Sequence, residues 1–369
     1  GVTVGGAVTG GRLAVRPLAG AHAAALGTSL TGQLRSFLNT GVAYGHNVTP
    51  LRHAPVMHVL NALAPVFARK QKPVVTAPTP YLVHSKHLER AFEIFVSLPA
   101  SFAPGSPRRY PALFALDATI EFSTVAEAAA SLAAAGEIPE LIVIGVGVPR
   151  SEGPVRFGFR RFEEFFPPAD GYAYDDALGR ILRSLYAVIG QDARQHLGRA
   201  PAFLSFLADE LLPRMIEQFP IDTAELGVLG HSAGGAFAGY ALSQARSPFR
   251  HYIAVSPGIG ISGSWLMRNP IMPPSFDARP VQVFASIGGL EPTNLFNRIA
   301  GIHDTEAFAA RLKGLPNLTV RTRCFEDETH SSTFPRAVVA GLRCVYGFAS
   351  ANAGAAPSPS APACATMTP

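Results

Sequence analysis

The chain has 369 residues, of which 48% are hydrophobic and 15% are charged. Its mean hydropathy is +0.20, so there is ample apolar material for a large core, and a chain that is disordered throughout is excluded. No run approaches the roughly 18 uninterrupted apolar residues that a membrane-spanning helix needs, so we expect no membrane span.

Basic residues are concentrated near the start of the chain, and this explains the sequence pI near 9.3. No Asp or Glu precedes Glu89, whereas the remainder of the chain carries more acidic than basic residues. The early basic residues are dispersed and no nucleic-acid-binding module is recognisable, so we expect no nucleic-acid partner. Three cysteines are too few for a zinc site with paired ligands, and we expect no metal. No organic cofactor is expected either.

Three segments differ in composition, and we predict a three-part organisation. Residues 1–74 form a basic extension of low complexity, which is either a targeting segment or a stretch foreign to the native protein. Residues 75–348 are predicted to form one catalytic domain. Residues 349–369 are rich in Ala, Pro and Ser, and we expect this tail to be disordered because it cannot pack a core.

Short apolar runs alternate with longer segments of helical period in the middle of the chain. The predicted strands span residues 91–98, 110–116, 141–148, 226–230, 251–256, 280–287 and 318–325. The predicted helices span residues 124–135, 203–218, 233–245, 304–314 and 334–347. Several strands are continuously apolar, as expected where helices cover both faces of a sheet. The pattern predicts an α/β protein with a mostly parallel, doubly wound sheet.

The sequence Gly230-His231-Ser232-Ala233-Gly234 is a G-x-S-x-G motif between a predicted strand and a predicted helix. A serine on such a tight turn has a strained backbone, and its hydroxyl projects above the sheet. The flanking glycines let strand and helix approach without a Cβ clash. We therefore predict that Ser232 is the nucleophile of an α/β-hydrolase fold.

A serine hydroxyl needs an adjacent base, which in this fold follows both the serine and the acid along the chain. Only His251, His303 and His330 lie beyond Ser232. His251 opens an apolar strand and His303 follows an apparent loop, so we interpret both as packing or surface residues. His330 follows the last predicted strand directly, at the carboxyl edge of the sheet where the serine turn also opens. We predict that His330 is the base.

The acid is expected between the serine and the histidine. The candidates are Asp277, Glu291, Asp304, Glu306, Glu326, Asp327 and Glu328. Glu291 follows the next-to-last strand immediately, from where it can point toward the histidine and fix the tautomer of its ring. Asp304 and Glu306 are interpreted as N-terminal helix residues. We predict that Glu291 is the acid.

Backbone N–H groups at two helix starts are candidates for an oxyanion hole. The N–H of Ala233 follows from the geometry of the serine turn. A second donor is expected from the loop after the strand at 110–116, at Ala118 or Thr119. Asp117 is interpreted either as a brace of that loop or as an ordinary turn residue.

Four arginines follow the strand at 141–148 in a segment that we interpret as a loop with interleaved phenylalanines: Arg150, Arg156, Arg160 and Arg161. Cation and aromatic contacts of this kind would suit a large anionic ligand with flat aromatic rings. The alternative is a solvated basic loop anchored by buried phenylalanines. We take Arg150, His231 and Trp265 as candidate substrate contacts.

Seven pieces of the chain carry a resemblance to a known family: residues 109–117, 138–146, 206–213, 230–235, 256–257, 288–291 and 328–330. Together they resemble the bacterial putative esterase family of α/β-hydrolases, which includes enterobactin and bacillibactin siderophore esterases. The resemblance implies Ser232 as nucleophile and His330 as base, and it favours Glu291 as acid. Some siderophore esterases work with a Ser–His pair alone, so the need for Glu291 stays open. The chain departs from the family pattern at Ala118, where glycine usually follows the aspartate.

These features predict a serine ester hydrolase that works through an acyl-enzyme on a small-molecule or oligomeric ester. The alternatives for the substrate are a siderophore-type lactone, a feruloyl-type or other aryl ester, and a synthetic polyester chain. A second class of enzyme is an acyltransferase, in which an alcohol intercepts the same acyl-enzyme. A non-catalytic binding module is disfavoured because all three triad residues are present. The sequence leaves the compartment and the oligomeric state open.

Overall fold

The computed structural model describes residues 75–76, 80–277 and 279–347. The predicted extension at 1–74 and the predicted tail at 349–369 lie outside the described residues. Within the described ranges, every helix is too short or too polar to cross a bilayer.

Nine strands of the described residues form one sheet. They are β1 (Val75–Thr76), β2 (Tyr81–Ser85), β3 (Arg90–Leu98), β4 (Tyr110–Ala115), β5 (Ile142–Gly147), β6 (Ile221–His231), β7 (His251–Val255), β8 (Val281–Gly288) and β9 (Leu318–Phe325). The strand order is β1-β3-β5-β4-β6-β7-β8-β9, with β2 also paired to β3. Strands β4 to β9 pair in parallel, whereas β1, β2 and β5 are antiparallel to β3. The predicted mostly parallel sheet is confirmed.

Helices connect the parallel strands. The α-helices of the described residues are α1 (Ala118–Ala134), α2 (Gly153–Phe165), α3 (Ala177–Val188), α4 (Ala193–His196), α5 (Ala200–Ser205), α6 (Leu212–Gln218), α7 (Ala233–Leu242), α8 (Ile261–Arg268), α9 (Leu295–Ile299), α10 (Thr305–Lys313) and α11 (Thr333–Tyr346). A π-helical turn at Phe206–Leu211 joins α5 to α6. Short 3₁₀ turns span Arg150–Glu152, Glu291–Thr293 and Ile302–Asp304.

The sheet is covered by apolar layers on both faces. Successive residues of a strand point to opposite faces, so Phe114 packs into the layer that contains Phe203 and Phe237 of helices α5 and α7. Its neighbour Leu113 packs into the layer that contains Val125 of α1. Because both faces are buried, a central strand has no polar side, and all residues of β5 are buried.

The parallel strands place five polar residues at one edge of the sheet. In chain order they follow β4, β6, β7, β8 and β9: Asp117, Ser232, Ser256, Glu291 and His330. Neighbouring loops are joined by backbone hydrogen bonds, since the N–H of Ser232 donates to Val255 at 2.9 Å and the N–H of Ser256 donates to Ser286 at 2.8 Å. These bonds continue the hydrogen-bond pattern of the sheet beyond the strand ends. They therefore join the backbone of each loop to that of its neighbour.

Most predicted elements are confirmed, and the differences have local causes. Helix α1 begins at Ala118 rather than at residue 124, because the left-handed Asp117 (φ 53°) starts the helix directly after β4. Strand β6 begins at Ile221 rather than at residue 226, because a register shift lets Ile221 pair with Tyr110. Strands β1 and β2 and helices α2, α3, α4, α8 and α9 are not among the predicted elements.

The interpretation of the arginine-rich segment as a loop is wrong. It contains helix α2, Gly153–Phe165, even though Gly158 in its interior is a poor helix former. Pro154 stands in the first turn, where proline is tolerated. Arg160 and Glu164 stand four residues apart on this helix and form an ion pair of 2.7 Å. Further ion pairs to other parts of the chain stabilise the helix, and a single sequence does not reveal them.

Candidate active site

Ser232 occupies the sharp turn between β6 and α7. Its backbone angles are φ 61° and ψ −116°, outside the usual regions for a residue with a Cβ, so the surrounding structure must hold it there. The side chain is half-buried, unlike the buried residues on either side. The turn therefore has the geometry that the G-x-S-x-G motif predicts.

Two glycines allow the close approach of strand and helix at this turn. A Cβ on Gly230 would lie 2.2 Å from the carbonyl oxygen of Gly234. A Cβ on Gly235 would lie 2.9 Å from the carbonyl oxygen of Val255. A Cβ on Gly234 would meet only ordinary contacts, the nearest at 3.4 Å. The second close approach therefore depends on Gly235 rather than on Gly234 of the motif.

His330 and Glu291 form a hydrogen-bonded pair. The distance between His330 Nδ1 and Glu291 Oε2 is 2.7 Å. A carboxylate only accepts hydrogen bonds, so Nδ1 carries the proton and Nε2 is left as the basic nitrogen. Glu291 is 1% exposed, whereas the side chain of His330 is 25% exposed. The carboxylate of the pair is thus buried, whereas the imidazole is accessible.

The second oxygen of Glu291 is also satisfied. Oε1 accepts the hydroxyl of Ser256 and the N–H of Gly288, both at 2.6 Å. Because both carboxylate oxygens have donors, burial does not leave a polar atom unpaired. Ser256 follows β7 as Glu291 follows β8, and this position at the sheet edge is the signal that could have identified it from the sequence.

The alternative histidines and acids have other partners. His251 pairs with Glu225 at 2.7 Å, and His303 pairs with Asp304 at 3.5 Å. Asp277 contacts Arg250 and Arg279, and Glu328 contacts Arg336 at 2.6 Å. Of the candidate acids, Glu291 is the one that the structure places against His330.

The two candidate oxyanion donors begin helices. Ala118 is the first residue of α1 and Ala233 is the first residue of α7, and N–H groups of a first helical turn have no acceptor within the helix. Asp117, just before α1, is 2% exposed and pairs through Oδ1 with Nε of Arg161 at 2.7 Å. Arg161 also donates to the carbonyl of His231 at 3.4 Å. Asp117 and Arg161 therefore join the start of α1 to the serine turn, as a brace would.

His231 contacts the protein through both ring nitrogens. Nδ1 lies 2.9 Å from Glu121 Oε1, and Nε2 lies 3.0 Å from the carbonyl oxygen of His330. The residue is 8% exposed. Both nitrogens are engaged within the protein, and a substrate contact through His231 stays a prediction. Sequence reasoning also missed Glu121, whose position inside a predicted strand-helix connection gave no signal.

The other two candidate contacts differ in accessibility. Arg150 has a side chain that is 65% exposed, with Nε 4.0 Å from Glu93 Oε2. Trp265 is 6% exposed, and its indole N–H donates to Asp170 Oδ2 at 2.5 Å while its ring packs edge-on against Tyr240. The structure places Trp265 in the core. Substrate contacts through these two residues stay predictions.

The remaining arginines of the segment are engaged in a buried ion cluster. Arg160 is fully buried and pairs with Glu152 at 2.6 Å and with Glu164 at 2.7 Å. Arg156 pairs with Glu163 at 2.9 Å. Burial would raise the pKa of Glu163, but hydrogen bonds and charges from Arg90 and Arg156 outweigh it and lower that pKa. The cluster is therefore balanced in charge, and it is neither a solvated loop nor a basic patch.

A cavity of about 210 Å³ lies beside the start of α1. Its lining includes Ala118, Thr119, Phe122, Phe95 and Arg150, so it offers apolar walls, a hydroxyl and one guanidinium. In the described ranges of the chain, no group of three or more His, Cys, Asp or Glu side chains is arranged to hold a metal ion.

Known proteins resemble this chain in sequence. The family described as Putative esterase matches residues 187–313. The Ferri-bacillibactin esterase BesA of Bacillus subtilis (strain 168) is 26% identical over 273 residues, which cover 71% of this chain and 87% of that protein. The Siderophore enterobactin esterase of Emericella nidulans is 31% identical over 120 residues, which cover 32% of this chain and 36% of that protein.

Solved structures share the fold. The BES protein from Bacillus cereus is 25% identical with a TM-score of 0.57, covering 73% of this chain and 96% of that chain. The siderophore hydrolase EstA from Aspergillus nidulans is 19% identical with a TM-score of 0.57, covering 81% of this chain and 97% of that chain. These matches confirm the family resemblance and the α/β-hydrolase fold that the sequence predicted.

Proposed function

We propose that Ser232, His330 and Glu291 are the catalytic triad of this chain, which resembles the family described as Putative esterase over residues 187–313, and that it cleaves siderophore-type esters through an acyl-enzyme. The observation that carries this proposal is the hydrogen bond of 2.7 Å between His330 and Glu291 at the sheet edge that also carries the strained Ser232 turn.

Acylation starts at the basic nitrogen of His330. Because Nδ1 is bonded to Glu291, Nε2 is free to accept the proton of the Ser232 hydroxyl. The serine oxygen bonds to the ester carbonyl carbon, and the carbonyl oxygen becomes an oxyanion. The N–H groups of Ala233 and Ala118 stabilise that oxyanion. The bond to the leaving alcohol then breaks, and His330 gives its proton to the departing oxygen.

Deacylation repeats these steps with water. His330 accepts a proton from water, and the hydroxide oxygen bonds to the acyl carbon. The bond to Ser232 then breaks, and the serine oxygen takes the proton back from His330. Glu291 stays ionised throughout and stabilises the imidazolium that forms twice in the cycle. The products are an acid and an alcohol.

A siderophore-type ester is the substrate class that the relatives and the cavity support best. Two relatives carry names of siderophore esterases. In this chain, the cavity beside Ala118 combines the rings of Phe95 and Phe122 with the guanidinium of Arg150. Such a lining suits an aromatic acyl group that carries negative charge.

The Ser232→Ala variant tests the proposal. With the hydroxyl removed, we expect turnover of p-nitrophenyl butyrate to fall by about 10⁴-fold or more, while the circular dichroism spectrum stays that of the wild type. A panel of iron-loaded and iron-free catecholate trilactone, a ferulate ester and p-nitrophenyl butyrate then ranks the substrates by kcat/KM. Equal turnover by the wild type and Ser232→Ala would contradict the triad, and a ferulate ester ranked above both trilactones would contradict the substrate class.

A further inference from the structure

The Glu121–His231 pair lies beside the proposed triad and is not used by the mechanism above. His231 precedes the serine, and its ring packs between two others, with centroid distances of 4.6 Å to His330 and 5.1 Å to Phe334. Glu121 is 8% exposed and stands in the first turns of α1. The pair therefore joins three segments: the helix that begins at Ala118, the serine turn, and the loop of the base.

The hydrogen-bond partners fix where the protons are. The carbonyl oxygen of His330 only accepts, so Nε2 of His231 must carry a proton to bond to it at 3.0 Å. If the ring is neutral, Nδ1 has no proton, and its contact of 2.9 Å to Glu121 is a hydrogen bond only when the carboxyl group donates. The contact then requires Glu121 to be a protonated carboxylic acid.

The charges around the pair favour this neutral form. Burial, the charge of His330 and that of Arg161 lower the pKa of His231 to about 3, against the opposing effect of Asp117 and Glu291. Burial and the charge of Asp117 raise the pKa of Glu121 well above its ordinary value, against the opposing effect of Arg161 and His330. Both directions disfavour a carboxylate–imidazolium ion pair.

We propose that Glu121, as a neutral acid, and His231 form a positioning pair that holds the backbone of His330 against the serine turn. This inference rests on the proposed function, because it assigns the pair to the same base. His330 is then fixed at two points, through its ring by Glu291 and through its carbonyl by His231. Both residues act through His330 and not on the substrate, so both are positioning residues.

The physical reason for such a pair is the exposure of the base. The side chain of His330 is 25% exposed, and its loop begins at the end of β9. A displacement of about 1 Å between base and nucleophile costs about 100-fold in rate. A neutral hydrogen-bonded pair can hold the loop without adding a second charge beside the imidazolium of His330.

Variants of Glu121 separate this inference from a purely structural role. In Glu121→Gln an amide N–H can still donate to Nδ1, so we expect kcat to fall less than about threefold. In Glu121→Ala the donor is lost, and we expect kcat to fall about 10- to 100-fold with KM changed less than about twofold. Glu127→Gln, an exposed residue on the same helix, is the matched control and is expected to keep the wild-type kcat. A loss in Glu121→Gln as large as in Glu121→Ala, or a wild-type kcat in Glu121→Ala, would overturn the inference.

A spectroscopic measurement tests the protonation state without relying on turnover. In ¹⁵N-histidine-labelled protein, the signals of His231 are assigned by their absence from His231→Phe. We expect Nε2 to be protonated and Nδ1 unprotonated at every pH from about 8 down to about 5. An imidazolium signal from His231 in that range would overturn the inference.

The results expected if the proposed triad is wrong differ from those expected if only the positioning pair is wrong. If wild type and Ser232→Ala turned over p-nitrophenyl butyrate equally, the triad would be wrong whatever the Glu121 variants did. If Ser232→Ala alone lost activity and the two Glu121 variants behaved alike, the triad would stand and the positioning pair would fall.

Discussion

Two regions of this protein carry clusters of charged side chains, the carboxyl edge of the sheet and helix α2. The sequence anticipated where the residues of the first region lie but not the structure of the second. At the carboxyl edge of the sheet, Ser232, Glu291 and His330 follow β6, β8 and β9, and His330 bonds to Glu291 at 2.7 Å. In helix α2, two of the arginines that the sequence offered as substrate contacts, Arg156 and Arg160, lie in a charge-balanced cluster with glutamates.

The difference lies in what determines each arrangement. Parallel strands joined by helices bring their carboxyl ends to one edge whatever the details of packing, so chain order alone places the edge residues near one another. The partner of an arginine depends on which distant carboxylate the tertiary structure brings to it. Arg90 of β3, for example, reaches Glu163 of α2 at 2.6 Å.

Among substitutions in these two regions, Glu291→Gln is expected to have the largest effect, a loss of kcat. The substitution keeps the volume of the side chain but removes the charge that fixes the tautomer of His330, and we expect kcat to fall about 10³- to 10⁴-fold. This loss corresponds to about 4 to 5 kcal/mol of transition-state stabilisation. The measurement is steady-state hydrolysis of p-nitrophenyl butyrate.

The exposed Glu326 provides the control, and Glu326→Gln is expected to keep the wild-type kcat. A loss of less than about threefold in Glu291→Gln would favour a Ser–His pair that works without an acid.

The next largest effect is expected on the free energy of unfolding, from a substitution in helix α2. Arg160→Met leaves Glu152 and Glu164 without their buried partner, and we expect the free energy of unfolding to fall by about 3 kcal/mol. Arg343→Met is the matched control, because Arg343 also contacts a glutamate at 2.7 Å but has a side chain that is 60% exposed. We expect that control to change the free energy of unfolding by less than about 1 kcal/mol. Urea unfolding measures both, and equal effects would show that burial does not distinguish the two pairs.

The lowered pKa of Glu163 makes the stability of the fold depend on pH. A carboxyl group whose pKa is lower in the folded than in the unfolded protein stabilises the fold above the ordinary pKa of 4.5, and this contribution is lost as the pH falls through the folded value. We expect Glu163→Gln to be less stable than the wild type at about pH 7, with the difference narrowing below about pH 4.5.

The measurement for Glu163 is urea unfolding across this pH range. Glu127→Gln, which alters an exposed residue, is expected to follow the wild-type curve throughout. A difference between Glu163→Gln and the wild type that does not change with pH would contradict the charge argument.

The smallest effect is expected on KM, from a substitution of Arg150 in the lining of the cavity beside α1. Arg150 is largely exposed and has one distant carboxylate, Glu93 at 4.0 Å. We expect Arg150→Ala to raise KM for an anionic catechol ester about two- to fivefold and to leave KM for p-nitrophenyl butyrate unchanged. Equal changes for the charged and the neutral ester would assign Arg150 to the packing of the cavity and not to recognition of charge.

The sequence placed the triad candidates through the order of elements, but it did not identify their supporting residues. Ser256, which donates to Glu291 at 2.6 Å, follows a strand at the same sheet edge, but a Ser-Pro pair does not by itself indicate that the hydroxyl binds a carboxylate. Glu121 lies in the first turns of a helix whose start was predicted too late, so its approach to His231 could not be anticipated. Gly235 rather than Gly234 makes the second close contact at the turn, a distinction that depends on the position of Val255.

Sequence alone determined the alternation of apolar runs, the G-x-S-x-G turn and the order of serine, acid and histidine, because these depend on local periodicity and on the connectivity of parallel strands. Tertiary structure alone decided which charges meet and which are buried. Arg161 meets Asp117, Arg160 meets Glu164, and His231 lies between Glu121 and the backbone of His330. Electrostatic partners are chosen by distances of a few ångströms between residues far apart in the chain, and a one-dimensional pattern does not contain those distances.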